Sequence, residues 1–402
     1  MCSNDDNNTP EMNRRDFIKL SSLFTAAGAL PLLGQFNKAI AGEADTPVRI
    51  GYLPLTDAAP LLIAHNNGLF QQQGLKVETP RMFRSWAQLV EAFLSGNVNV
   101  VHMLSPMTVW ARYGSQSPSK TVAWNHINGS TITVAVAANI NGIEDLGGST
   151  FAIPFWYSVH NIVLQQLLKD KGLEAIQDGK PNKKQVKLVV MAPSDMLPGL
   201  ATGRIAGYTV AEPFNAAAEL LGVGKILRFT GDVWKDHACC VVQMHEHDLN
   251  TRPEWSQKVV NGIVQAQAWM LDNREESSKI LAKDNKARYT PHTYDTLAKV
   301  MLPNDADQQA YIKSGAIQHA DWDSCRIGFQ PYPYPSYTEA LVSFLKDTVV
   351  RGDKSFLADL DPAFAASDLV DDRFVKKAIA AVGGMKVFGE DESYSREEII
   401  QT

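Results

Sequence analysis

Three groups of side chains in this sequence are of types that do chemistry. His245, Glu246, His247 and Asp248 have the composition of a metal site, since imidazole nitrogens and carboxylate oxygens are common ligands of divalent cations. They follow an apolar strand-like stretch, and a solvated surface loop of the same composition is the expectation there. Phe155, Trp156 and Tyr157 set three π faces in a row just ahead of His160. Such a run cages a cation or stacks on a heteroaromatic ring, or it fills space at a hinge, and both accounts stand at this point. The third group is the cysteines: Cys2, Cys239, Cys240 and Cys325. None has the C-x-x-C spacing of a zinc or redox dithiol site. Adjacent cysteines seldom bond each other because the geometry is strained, so buried free thiols are expected, with a bridge from Cys325 to one of the pair as the alternative. The sequence has no G-x-S-x-G elbow and no phosphate-cradling glycine loop. No enzyme activity is expected.

The elements that must position these groups alternate in type. Val48–Leu53 reads as a strand, Ala58–His65 as a helix closed by Gly68, Gly74–Glu78 as a strand, Trp86–Leu94 as a helix and Val98–Met103 as a strand. Thr131–Ala137, Thr150–Ile153, the helix Val159–Lys171, Gln185–Met191, Met196–Thr202 and Ala206–Val210 continue the pattern, followed by Cys239–Met244 and a long helix over Pro253–Asn273. Strands alternating with helices imply βαβ units and a parallel sheet. The 402 residues suggest two domains. A net charge of −6, with 45% hydrophobic and 20% charged residues, is ordinary for a globular protein and argues against a nucleic-acid partner.

At the N-terminus, Asn13-Arg14-Arg15-Asp16-Phe17-Ile18-Lys19 resembles the twin-arginine export motif. A weakly apolar stretch, Leu20–Phe36, follows, and Ala39-Ile40-Ala41 fits small-residue cleavage. Residues 1–41 are therefore expected to be a twin-arginine signal peptide, with a periplasmic destination.

Further blocks carry a resemblance. Gly51-Tyr52-Leu53-Pro54-Leu55-Thr56-Asp57-Ala58-Ala59-Pro60-Leu61, then Gly68-Leu69-Phe70, Ser85-Trp86, His102–Met107, Asn128-Gly129, His160-Asn161, Glu212–Asn215, Gly231–His237 and Tyr332–Tyr334 occur in order. Together they resemble the nitrate- and bicarbonate-binding receptors of ABC importers, a group that also holds sulfonate and taurine receptors. The resemblance implies an α/β fold of two lobes joined by two chain crossings (the type II periplasmic-binding-protein fold), with the ligand in the cleft. Asn139–Leu146 and Lys235–Cys240 are the expected crossings. Lobe one is then 47–138 with 239–350, lobe two is 139–238, and 351–402 is a C-terminal helical appendage.

The resemblance also implies site residues. Trp86 lines the pocket, and Lys235 contacts an anion as a compact charge. His160 lies at a helix N-terminus, where free N–H groups and the dipole favour an anion. Glu212, as a carboxylate, needs a metal, a proton or a cation beside it; with Asp236 it is a candidate calcium ligand of a bicarbonate-type site. Otherwise no cofactor is expected. Ser130 stands where such receptors tend to have glutamine, and the Phe155–Tyr157 run, with Trp156 as its ligand-lining member, stands where they have glycines. Both departures put an identical anion site in doubt.

The expected function is a monomeric receptor that closes on a small solute, foremost an oxyanion such as nitrate, bicarbonate or a sulfonate, and presents it to the membrane subunits of an ABC importer. The alternatives are a larger amine or heterocyclic solute and, remotely, a pyrimidine-synthesising enzyme of the same fold.

Overall fold

The computed structural model describes residues 46–402. The twin-arginine motif, the apolar stretch after it and the cleavage site at Ala41 lie outside the described residues. No helix among the described residues is long and apolar enough to cross a membrane.

Two sheets organise the chain. The first has the order β2 (Arg81–Met82), β1 (Ile50–Tyr52), β3 (Val100–Leu104), β12 (Cys240–His245) and β4 (Ser119–Trp124). β1 runs parallel to β2 and β3, whereas β12 is antiparallel to both β3 and β4. The second has the order β11 (Gly224–Phe229), β6 (Ser130–Ala135), β10 (Gly207–Ala211), β7 (Thr150–Ile153), β9 (Gln185–Val190) and β8 (Glu174–Ile176). β10, β7, β9 and β8 are parallel, and β6 is antiparallel to its two neighbours. β5 (Ile127–Asn128) and β13 (Ile327–Gly328) form a small ribbon between the sheets. The central strands β3, β6, β10 and β12 are buried along their whole length.

Two helices aim side chains at the space between the sheets, and each is started by a serine. Ser85 caps α1 (Trp86–Leu94), its Oγ accepting from Gln88 N at 3.3 Å. Leu89, Val90 and Phe93 form its buried stripe. Ser158 caps α2 (Val159–Asp170), its Oγ accepting from Asn161 N at 3.1 Å. A serine oxygen answers one of the N–H groups that a helix start leaves unpaired.

The structure corrects several expectations. β6 belongs to the second sheet, so the first crossing is near Asn125–Gly129 rather than Asn139–Leu146, and the second lobe begins earlier than residue 139. The chain turns there through left-handed residues, Asn128 at φ 59° and Gly129 at φ 74°. An alternating strand looks the same whichever sheet it joins, so nothing local assigned it. The Gly74–Glu78 strand reduces to a single bridge, Val77 to Val48. His245 is no loop residue: it ends β12, buried and stacked on Phe93 at 4.1 Å. Glu246 and Asp248 lie in a short helix and pair separately, with Arg112 and Arg252.

The C-terminal third is more than lobe one plus an appendage. α3 (Pro253–Asp272) packs against α6 (Arg373–Val382), and α4 (Pro335–Asp347) against α5 (Pro362–Leu369). Val370 bridges Thr121 at the edge of the first sheet. Tyr311 instead stacks on Phe229 of the second sheet at 4.9 Å, so residues 239–350 serve both lobes. The last residues cross the second crossing as a strap: Ile400 bridges Trp234, Gln401 N donates to Val233 O, and Lys235 N donates to Ile399 O. The Arg396 guanidinium lies over Trp124 and Tyr334, 4.9 and 4.7 Å from the ring centres.

Candidate functional site in the cleft between the sheets

The ends of the strands converge on one polar cluster. Asp57 follows β1, His102 lies in β3, His126 follows β4, Cys239 immediately precedes β12 and Cys240 opens it. From the second sheet come Ser130, which opens β6, and His160, in the first turn of α2. His237 and Thr230 approach along the second crossing. All are buried: Asp57, His102, His126, Cys239 and Cys240 are 0% exposed, and His160 is 1% exposed. The location follows the rule that open α/β sheets bind beyond the carboxyl ends of their parallel strands.

His160 Nε2 lies 2.9 Å from Ser130 Oγ and 3.7 Å from Cys239 Sγ, so the lobes meet at this imidazole. Thr56 donates from both its N–H and its hydroxyl to Glu212 O, a second tie between the sheets. Asp57 Oδ2 is 3.1 Å from His126 Nε2, close enough for a charge contact. Neither Asp57 oxygen accepts an aligned hydrogen bond. Cys240 N donates to His126 Nε2 at 3.3 Å, and the two sulfurs are 4.0 Å apart. His102 Nε2 accepts from Leu53 N at 2.8 Å, which puts its proton on Nδ1. That nitrogen is unpartnered, as are Trp86 Nε1 and the Nδ1 atoms of His126, His160 and His237. The rings of Trp86 and His102 are 5.2 Å apart.

The charges are unevenly held. Burial pushes the Asp57 carboxyl up, with His126 opposing. His126 is nonetheless held up at about 10: burial works against its charge, but Asp57 outweighs it. Cys239 is driven well below the usual thiol range even though burial opposes this, by hydrogen bonding from Cys240 and the positive field of His160. Burial and the neighbouring sulfur push Cys240 up, so one sulfur is the thiolate and the other its donor. Burial drives His102 and His237 down to about 3, leaving both neutral.

The residues expected from sequence fall into two sets. Trp86, Ser130 and His160 join the cluster. Lys235 and Asp236 sit half-buried on the second crossing; Asp236 Oδ1 accepts from Asn128 Nδ2 at 3.0 Å, and Lys235 makes no polar contact with the cluster. Glu212 is fully buried and faces Arg326, Nη2 to Oε1 at 2.6 Å, while its Oε2 accepts from Ala216 N at 3.1 Å. With both oxygens engaged and Asp236 turned to Asn128, the pair does not fit a calcium ion, which needs several free oxygen ligands. Trp156 is buried, its carbonyl accepting from Asn161 Nδ2, and the Tyr157 ring packs 6.2 Å from both Trp110 and Phe356. All three residues of the aromatic run are buried. The residues that sequence reasoning missed are Asp57, His126 and the Cys239–Cys240 pair. The available signal was a vicinal thiol pair where the second crossing enters a strand. All three described cysteines are free.

Comparisons with known proteins agree on the frame. The sequence profile of a family described as NMT1-like matches residues 41–283, more than half of the chain. A nitrate/nitrite binding protein NrtA of Nostoc sp. is 27% identical over 256 residues, covering 58% of this chain and 57% of that one. The NrtA of Synechococcus elongatus is 27% identical over 327 residues, 68% of this chain and 70% of that one. The chain spans about half the length of several curated relatives it matches. Among solved structures, the periplasmic nitrate-binding protein NrtA of Synechocystis superposes with a TM-score of 0.69 at 20% identity, covering 87% of this chain and 92% of that one. That likeness establishes the two-lobed periplasmic-binding-protein fold.

Proposed function

As the chain belongs to the NMT1-like family, we propose that it is a solute-binding receptor which closes its two lobes on a small oxyanion and presents it to an ABC importer. The observation that carries this reading is the surplus of buried ring nitrogens. Trp86 Nε1 can only donate, His102 Nδ1 bears its proton, and neither has an acceptor. A buried donor left unpaired costs about 1–3 kcal/mol, and such a group calls for a partner. Nitrate and sulfonate oxygens only accept, and bicarbonate carries two accepting oxygens beside its one O–H, so each matches what these nitrogens lack. The nitrate-binding relatives support the same class.

The mechanism is a grip from two sides. Trp86 and His102 come with the first sheet, Ser130 and His160 with the second. A ligand that touches both sets stabilises the closed arrangement over the open one by its differential contacts. Twin-arginine export to the periplasm and action as a monomer complete the proposal. The inward packing of Phe155–Tyr157 weighs against the larger organic solute.

A thermal-shift panel tests the reading, with nitrate, nitrite, bicarbonate, taurine and alkyl sulfonates set against amines and pyrimidines. Ligand at a hundredfold its Kd adds about 2.7 kcal/mol of stability. A shift with an oxyanion that Trp86→Phe and His160→Ala both weaken is the expected result. A response to organic cations alone would sink the proposal.

A further inference from the structure

We infer that Asp57, His126, Cys239 and Cys240 form a binding site for a thiophilic divalent cation of the zinc class. One ligand atom from each of the four lies within 4.8 Å of the others, and all four residues are buried. Among the described residues no other cluster of three or more such side chains gathers this closely. The site does not depend on the oxyanion reading, because it requires no solute.

The geometry suits four-coordination. Zinc bonds of about 2.0–2.3 Å to oxygen, nitrogen and sulfur set tetrahedral ligand–ligand edges of about 3.3–3.8 Å. The Asp57–His126 edge is 3.1 Å and the sulfur–sulfur edge 4.0 Å, and the remaining edges lie within 4.8 Å, so shifts of up to about an ångström complete the shell. Both Asp57 oxygens lack an aligned donor, a deficit that a cation would answer, and His126 would ligate through Nε2, the nitrogen beside Asp57. Donor chemistry narrows the choice. Two sulfurs with an imidazole select zinc, or cobalt(II) as its spectroscopic stand-in, over calcium or magnesium, which prefer all-oxygen shells.

The placement gives the site a simple order of assembly. Asp57, His126 and the two cysteines stand at the ends of β1, β4 and β12, all in the first sheet. Asp57 and the two cysteines therefore come from the first lobe, and His126 from the first crossing. His160 arrives from the second lobe, 3.7 Å from Cys239 Sγ.

The test is cobalt(II) and zinc binding to the reduced full-length chain in the absence of any solute. The expected result is one equivalent of cobalt with tetrahedral d–d bands and a sulfur-to-cobalt charge-transfer band, bleached by zinc and removed by a chelator. Cys325→Ser, remote from the cluster, should leave the spectrum intact, and Cys239→Ser should abolish the charge-transfer band. Asp57→Asn should weaken zinc on the order of a hundredfold, one ligand's share of a four-ligand site. Circular dichroism of each variant separates loss of binding from loss of fold. A wild-type chain that retains neither metal overturns the inference, as does a tetrahedral spectrum that persists in the Cys239→Ser, Cys240→Ser double variant. Neither result touches the solute panel, which is read with metal absent and present.

Discussion

On the second-lobe side of the cleft, Glu212 meets Arg326 at 2.6 Å, Arg326 reaches Glu219 at 3.0 Å, and Tyr311 donates to Glu219 at 2.7 Å. Every charge there has its answer within the chain. On the first-lobe side, Asp57 is just as buried, yet neither of its oxygens accepts an aligned hydrogen bond, and the imidazoles around it keep nitrogens unpaired. Both sides are built from buried titratable groups at strand ends. Their state of satisfaction differs, and that difference separates a structural network from a working one. Resemblance had pointed to Glu212 as a site residue; its partners place it in the framework.

Removing one partner from the satisfied side gives the largest expected effect. Arg326→Met strands the Glu212 carboxylate and should cost about 3–5 kcal/mol in denaturant unfolding, as breaking buried ion pairs does. A loss under about 1 kcal/mol would show that the network is not structural. The next effect concerns His292, which touches both sides, with Nε2 2.9 Å from Pro54 O and its ring 5.0 Å from Phe214. Burial drives its folded pKa down to about 4, whereas an unfolded histidine takes its proton near 6.5. Stability is therefore full above about pH 6.5 and falls as the pH drops toward 4, by up to about 3 kcal/mol. Chemical unfolding across that range should show the slope, and His292→Asn should flatten it.

Smaller changes sharpen the contrast on the other side. Ser130→Ala removes one hydrogen bond to His160 and should cost about 1 kcal/mol. Asp57→Asn breaks no aligned hydrogen bond but releases the charge that holds His126 up, so it should cost less than Arg326→Met, in which an ion pair in direct contact is broken. It should still weaken zinc on the order of a hundredfold. A loss of several kcal/mol would mean that Asp57 is structural after all and would erase the comparison.

Most of the frame was legible in the sequence because it rests on local signals. α1 and α2 begin where a serine precedes an apolar stripe, and Thr150–Ile153 was read to the residue. The place of β6 was not legible, since alternation fixes a strand and leaves its partners unnamed. The cluster was hidden for a related reason. Asp57, His126 and Cys239 are far apart in the chain and meet only because β12 inserts between β3 and β4. Trp86, Ser130 and His160 were found because ordered blocks marked them, and the cysteines were passed over because they are adjacent rather than spaced.

The strap over the second crossing has a practical side. With Ile399 to Gln401 paired to Val233, Trp234 and Lys235, the tail is bolted to the part of the molecule that must flex when the cleft opens. A group attached at these residues is therefore mechanically in series with the second crossing. A bulky label there would strain that crossing, and a small fluorophore in the same place would report on movement between the two sheets.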